Sequence, residues 1–217
     1  MIFFLDSANI DEIKKCEEMH LLDGITTNPS LMSKTVKHKD EVYDIYKEIC
    51  KICKDRPVSC EIVDENYEDM MKEAEKLRKI SDYVCIKLPI TEDGLKACYD
   101  LTQDGTMTNM TLCFSPMQAL LCAKNGATFV SPFLGRVDDM GFDGLELVSN
   151  IMQIYANYGY ETQVLAASIR SIKQVEQVAL MGCDVATMPF NIITQLIKHP
   201  ATDAGLVKFA NDFKKIS

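Results

Sequence analysis

The chain has no tryptophan, three histidines and four arginines among 217 residues, and each shortage narrows its chemistry. His20, His38 and His199 fall in helix-like or loop-like stretches, which leaves a His-rich zinc site without ligands. Positive charge is short as well: 23 Lys and Arg against 32 Asp and Glu give a formal net charge of −9. Such a field repels nucleic-acid backbones and anionic membrane surfaces, so neither is an expected partner. An anionic small substrate would need its own local cations, and Arg136 and Arg170 stand out because both lie outside recognisable helices. No apolar run approaches the length of a membrane span. The start Met1-Ile2-Phe3-Phe4-Leu5-Asp6 lacks the basic region of a signal peptide, so the cytoplasm is the expected compartment.

Linker-like Gly-, Pro- or Ser-rich stretches are also missing, and 47% apolar with 25% charged residues is an ordinary globular balance. One domain spanning residues 1–217 is therefore expected. The nine cysteines are an odd set scattered among apolar neighbours, which suits reduced, buried thiols rather than a disulfide framework. Cys50 and Cys53 have CxxC spacing, yet no second pair or nearby His accompanies them, and helical spacing puts both on one apolar face.

Short β-branched runs recur along the chain, each followed by a stretch of helical periodicity, and this alternation predicts βα units around a parallel sheet. The predicted strands are Ile2 to Asp6, Gly24 to Thr26, Val58 to Val63, Tyr83 to Leu88, Met107 to Cys113, Phe129 to Ser131, Gln163 to Ala167 and Val185 to Met188. Between them lie amphipathic segments such as Tyr67 to Ile80, with Met70, Met71, Ala74 and Leu77 on one stripe. Eight such units predict an α/β single-domain (β/α)8 TIM barrel. A doubly wound open sheet is the alternative, but no G-x-G-x-x-G follows the first strand. Asp203 to Ile216 then adds a C-terminal helix beyond the eighth unit, covering the barrel or docking on a second subunit.

Barrel active sites occupy the carboxyl ends of the strands, so the side chains at those ends matter most. Seven successive strands offer Asp6, then Thr26 and Asn28, Glu61, Lys87, Asn109 and Thr111, Ser131 and Phe133, and Ser168 and Arg170. Lys87 is the most telling, because it interrupts the otherwise apolar run Val84-Cys85-Ile86-Lys87-Leu88-Pro89. Desolvation there is expected to favour the neutral amine, a nucleophile able to form an imine with a carbonyl. Imine chemistry moves protons at each step, and Asp6 and Glu61 supply two carboxylates on the same rim. Arg136 and Arg170, placed side by side, suit a phosphate monoester, with Ser168 or backbone amides completing the cradle.

These residues sit in segments that run the length of the chain: Phe4-Leu5-Asp6-Ser7-Ala8-Asn9, Gly24-Ile25-Thr26-Thr27-Asn28-Pro29-Ser30, Ile86-Lys87-Leu88-Pro89-Ile90-Thr91, Asn109-Met110-Thr111-Leu112-Cys113-Phe114-Ser115, Ser131-Pro132-Phe133-Leu134-Gly135-Arg136 and Ala166-Ala167-Ser168-Ile169-Arg170. In these motifs and their order the chain resembles the transaldolase family, specifically the short bacterial-type branch that also contains fructose-6-phosphate aldolases. The resemblance implies Lys87 as the Schiff-base lysine, Asp6 as the proton-transferring acid, and Glu61 with Thr111 as holders of a water. It implies further that Asn28 and Asn109 hold substrate hydroxyls, that Ser131, Arg136, Ser168 and Arg170 line the substrate and phosphate end, and that Thr26 and Phe133 contact substrate.

The implied reaction moves a dihydroxyacetone unit between sugar phosphates in the pentose phosphate pathway. No metal or organic cofactor is expected, since the imine is itself the electron sink. Fructose-6-phosphate aldolases typically carry Gln and Tyr where this chain has Glu61 and Phe133, and often Lys at the position of Arg170, which favours the transferase reading over release of free dihydroxyacetone. Non-catalytic sugar-phosphate binding and metal-dependent epimerisation are the other readings, disfavoured by the intact lysine with its two acids and by the few histidines. The branch usually assembles as homo-oligomeric rings, pentamers or decamers, with the C-terminal helix reaching a neighbour.

Overall fold

In the computed structural model, which describes residues 1–216, eight parallel strands close on themselves in chain order. They are β1 (Ile2–Asp6), β2 (Gly24–Thr26), β3 (Val58–Glu61), β4 (Val84–Pro89), β5 (Thr108–Cys113), β6 (Phe129–Pro132), β7 (Gln163–Ala166) and β8 (Val185–Met188). β1 pairs with β2 on one side and β8 on the other, Leu5 meeting Ile25 and Met188, so no sheet edge is left. The TIM barrel is the observed fold, and the open-sheet alternative fails at that closure. Strand ends differ slightly from expectation. β3 stops at Glu61 rather than Val63, because Val63 is already exposed in the loop leading to Asn66, the cap of the next helix.

The outer layer contains α1 (Ile10–Glu18), α2 (Pro29–Thr35), α3 (Glu41–Cys53), α4 (Tyr67–Leu77), α5 (Glu92–Gln103), α6 (Pro116–Lys124), α7 (Leu134–Asp139), α8 (Gly144–Tyr158), α9 (Ile172–Leu180), α10 (Phe190–Leu196) and α11 (Pro200–Phe213). Side-chain oxygens end many of the preceding loops: Asn9, Asn28, Asn66, Thr91, Ser115 and Ser171 each accept a backbone N–H of the first helical turn. In α4 the expected stripe is present, with Met70, Ala74 and Leu77 buried, although the helix ends at Leu77 rather than Ile80. α7 is a short extra helix ahead of α8, and it places Arg136 in a helix, correcting the expectation that this arginine lies outside one. The C-terminal helix begins earlier than predicted, since Pro200 suits the first helical position and His199 caps it through Nδ1.

Side chains alternate between two faces along each strand, and this sorts the barrel into two apolar clusters. The outward set, including Leu5, Ile25, Cys60, Ile86, Met110, Val130 and Ala186, packs under the helices. The inward set is small: Phe4, Cys85, Phe129, Leu165 and Val185, with Phe133 and Ala167 above them. Phe4 and Phe129 meet edge to face at 5.7 Å, and Gly24 has no side chain because a Cβ there would overlap the Phe4 ring. Two residues further along β1, β4, β6 and β8 the inward positions become polar, at Asp6, Lys87, Ser131 and Thr187, whereas β7 continues with Ala167. All nine cysteines are buried and free, and burial pushes the Cys50 thiol up to about 11 and the Cys53 thiol up to about 12. Redox pairs need thiols shifted the other way, so Cys50 and Cys53 serve as core packing. Among the described residues no helix is long and apolar enough to cross a membrane.

Candidate active site at the barrel mouth

Lys87 follows the inward-facing Cys85 by two residues and therefore points into the barrel above the apolar floor. It is only 3% exposed. Its Nζ donates to the Thr27 carbonyl at 2.9 Å and lies 2.8 Å from Glu61 Oε2, the residue in register with it on β3. That carboxylate oxygen is close without the alignment of a hydrogen bond and has no other partner, so the contact is an ion pair that leaves the oxygen able to bind a further proton or water. Thr111 is fully buried, and its Oγ1 likewise has no hydrogen-bond partner. A buried, unpaired hydroxyl costs roughly 1–3 kcal/mol, which a bound water or substrate oxygen would offset.

Asp6 faces the same space from β1. It keeps some exposed surface but sits enclosed in the barrel mouth, and burial pushes its carboxyl pKa above the ordinary value. Lys87, the Thr26 hydroxyl and Arg136 pull in the opposite direction without overcoming burial. Thr26 donates to Asp6 Oδ1 at 2.7 Å, and its oxygen is 2.6 Å from the hydroxyl of Thr187.

A cavity of about 90 Å³ lies between Lys87 and Asp6, and neither Glu61 nor Thr111 lines it. Asp6, Thr26, Asn28 and Lys87 line one side, and Ser131, Phe133, Arg136 and Ser168 line the other, together with Ala167 and Thr187. Asn28 Oδ1 is engaged in capping α2 through the Leu31 N–H, which leaves its amide N–H groups for a ligand. Asn109 is fully buried just behind: it donates to Ser59 and accepts from Ser131, bridging three strands without lining the cavity. A larger cavity of about 610 Å³ lies between α2, α3, α4 and the end of β3; Glu61 lines it, but neither Lys87 nor Asp6 does. The chemistry therefore identifies the smaller space.

The two arginines are not equivalent. Arg136 lines the cavity with its guanidinium 4.6 Å over the Phe133 ring, a cation–π contact that holds it at the rim, while Phe133 meets Phe114 edge to face at 5.8 Å. Arg170 instead binds the Asp139 carboxylate in a two-pronged pair, stands half exposed and does not line the cavity. The arrangement expected from sequence, with both guanidiniums turned to one phosphate, is absent from this conformation. Gly135 sets how closely α7 can dock, since a Cβ there would overlap the Ser168 carbonyl and approach Arg170 Nε. Ser168 and Leu112 adopt left-handed backbone conformations, φ 58° and 61°, which only glycine takes without strain. At Leu112 the register with β6 shifts, and the bulge brings this side chain against the interior cluster.

Sequence reasoning missed Thr187, the polar contribution of the eighth strand. The signal was present: Thr187 follows the inward Val185 by two residues, as Lys87 follows Cys85. The Leu112 bulge and the Ser168 strain had no such signal, because neither position carries Gly or Asn. Among the described residues, no group of three or more His, Cys, Asp or Glu side chains is placed to hold a metal ion.

Fold and site together define a (β/α)8-barrel enzyme with a buried amine and two carboxylates at its mouth. More particularly, the chain belongs to the Transaldolase/Fructose-6-phosphate aldolase family, whose profile matches residues 3–217. It is 55% identical to a probable transaldolase of Bartonella tribocorum over 99% of this chain and 97% of that protein. A probable transaldolase of Thermodesulfovibrio yellowstonii is 53% identical over 100% and 99%. Among solved structures, a thiamine phosphate pyrophosphorylase from Pyrococcus furiosus superposes with a TM-score of 0.62 at 14% identity, covering 86% of this chain and 84% of that one, a likeness of fold alone.

The raised Asp6 pKa has a consequence for stability. A folded-state pKa above the ordinary 3.8 means that the native protein holds this proton more tightly than the unfolded chain. Stability is therefore lost as pH rises from about 3.8 through the folded value, and the loss persists above it. Asp6→Asn is expected to raise Tm at pH 7.5, by an increment that shrinks as pH is lowered; an unchanged or lower Tm at neutral pH contradicts the burial argument.

Proposed function

We propose that this enzyme transfers a dihydroxyacetone unit from sedoheptulose 7-phosphate or fructose 6-phosphate to glyceraldehyde 3-phosphate or erythrose 4-phosphate, through a Schiff base on Lys87. Transaldolase activity follows from homology at 52–55% identity over the whole chain. The role of each residue is our reading, carried by one observation: a 3%-exposed amine within 2.8 Å of one carboxylate and in the same cavity as another.

In this reading Glu61 takes a proton from Lys87, whose amine attacks C2 of the ketose, and loss of water gives the imine. Asp6 removes the C4 hydroxyl proton, the C3–C4 bond breaks, and the electron pair passes into the imine to give an enamine. The aldose leaves, an acceptor aldehyde enters, and the enamine carbon bonds to it while Asp6 returns the proton to the new hydroxyl. A water held by Glu61 and Thr111 then hydrolyses the imine. The enclosed volume of about 90 Å³ has room for roughly three waters, and it suits retention of a three-carbon fragment while the rest of the sugar extends outward. Asn28 and Ser131 would hold sugar hydroxyls, with Asn109, expected from sequence to do the same, instead fixing Ser131 from behind the cavity; Arg136 with Ser168 would receive the phosphate, and Arg170 would join them by exchanging Asp139 for phosphate.

Borohydride added with fructose 6-phosphate should inactivate the enzyme and leave a three-carbon adduct on Lys87, located by peptide mass. Lys87→Met should abolish turnover with an unchanged circular dichroism spectrum. A stable adduct on another lysine, or turnover by the Met variant, rejects the mechanism.

Phe133 supports transfer over simple aldol cleavage, because its ring offers no hydroxyl to orient water at the enamine carbon. Phe133→Tyr is expected to raise dihydroxyacetone release relative to transfer several-fold, and an unchanged product ratio would remove Phe133 from this account.

We further propose that residues 1–217 act as one domain in the cytoplasm, where nine unpaired thiols suit a reducing environment. A homo-oligomeric ring is supported by α11, which has no buried residue and presents Leu206, Phe209 and Phe213 on one face, each more than 60% exposed. Sedimentation velocity should give a particle several times the monomer mass. The double change Phe209→Glu and Phe213→Glu should shift it toward monomer, and a monomeric wild type overturns the assembly.

A further inference from the structure

Thr187 lies on the eighth strand beside β1, and counting protons fixes its place in the hydrogen-bond order at Asp6. Thr26 has one hydroxyl proton, and an ionised Asp6 carboxylate accepts only, so Thr26 must give that proton to Asp6 Oδ1, 2.7 Å away. The Thr26 oxygen is then an acceptor toward Thr187, whose hydroxyl lies 2.6 Å off. The order of donation is Thr187 to Thr26 to Asp6, drawn from three adjacent strands that close the barrel.

We infer that Thr187 is a positioning residue for the Asp6 proton transfer, acting through Thr26 rather than on substrate. Thr187 and Thr26 are 3% and 1% exposed, so bulk water does not reach the bond between them, and only a water held in the small cavity that both residues line could replace it. A donated hydrogen bond polarises the Thr26 hydroxyl and strengthens the bond it makes in turn. Two effects follow at Asp6. Oδ1 is fixed, so Oδ2 is the oxygen left to take the substrate proton, and the charged carboxylate is stabilised against the burial that opposes it. The other charged groups facing Asp6 are Lys87 from β4 and Arg136 from α7. α10, which packs on β1, carries no titratable side chain.

The inference rests on Asp6 being the base, and the experiment separates the two ideas. Aspartate 13C-carboxyl resonances are titrated in wild type, in Thr187→Val and in Thr187→Ser, with the Asp6 signal identified by its loss in Asp6→Asn. The pH dependence of kcat is followed in parallel. In Thr187→Val the Asp6 titration and the acid limb of kcat should both move up by about half a pH unit to one unit. At neutral pH kcat should fall about three- to tenfold with KM nearly constant, and Thr187→Ser should restore wild-type behaviour. If the limb tracks the Asp6 resonance in wild type yet neither moves in Thr187→Val, or if Ser fails to rescue, Thr187 only fills space and the inference is overturned while the role of Asp6 stands. If the limb does not track the Asp6 resonance even in wild type, Asp6 is not the base and both readings fall.

Discussion

The period of two along a β-strand governs everything else in this molecule. In a closed parallel barrel every second side chain must enter a narrow interior, and the sequence fills that interior first with Phe4, Cys85, Phe129, Leu165 and Val185. The next inward position on each of these strands is Asp6, Lys87, Ser131, Ala167 or Thr187. An apolar floor thus supports a roof that is polar except at Ala167, and the floor decides how deeply the roof is buried. Lys87 owes its enclosure to Cys85 beneath it and to strands on either side that bring Glu61 and Asn109 into register.

Enclosure alone would make the site unstable, since a buried charge without a partner is costly. The barrel mouth answers with balance. Lys87 and Arg136 face Asp6 and Glu61, so two cations meet two anions in a chain whose overall charge is −9. Arg170 lies outside this balance, because Asp139 already neutralises it at the surface. Its guanidinium must give up that carboxylate before it can reach a phosphate, whereas Arg136 is already at the rim, held over Phe133. In the proposed reaction, binding of an anionic sugar would shift an existing local equilibrium at one arginine and meet a preset partner at the other.

How far this was legible in the sequence depends on whether a feature was periodic or positional. Strand alternation and the lone lysine in Val84-Cys85-Ile86-Lys87 revealed the barrel and a lysine buried inside it, because both follow from a repeat that any window of the chain displays. Thr187 obeys the same repeat and was legible too, although a threonine at a strand end carries less contrast than a lysine. The Arg170 pairing was illegible, since Asp139 is 31 residues away and only the docking of α7 against the end of β7, permitted by Gly135, brings the two together. The left-handed Leu112 and Ser168 were hidden for a different reason: tertiary packing imposes those conformations on residues that do not favour them.

In the proposed mechanism the two carboxylates do different work, and their surroundings differ accordingly. Asp6 has one oxygen tied by Thr26, which in turn leans on Thr187, so it presents a single fixed oxygen toward the cavity. That suits a proton transfer at one defined atom of the substrate, out and back, on either side of carbon–carbon cleavage. Glu61 has no such tether. Its Oε2 is close to Lys87 Nζ without the alignment of a hydrogen bond, and the buried hydroxyl of Thr111, two strands along the barrel, is likewise unpaired. A carboxylate oxygen without a hydrogen-bond partner beside the lysine amine would suit handling of water and of the lysine proton in the proposed cycle. Exchanging the two environments would leave the composition of the site unchanged and remove its division of labour.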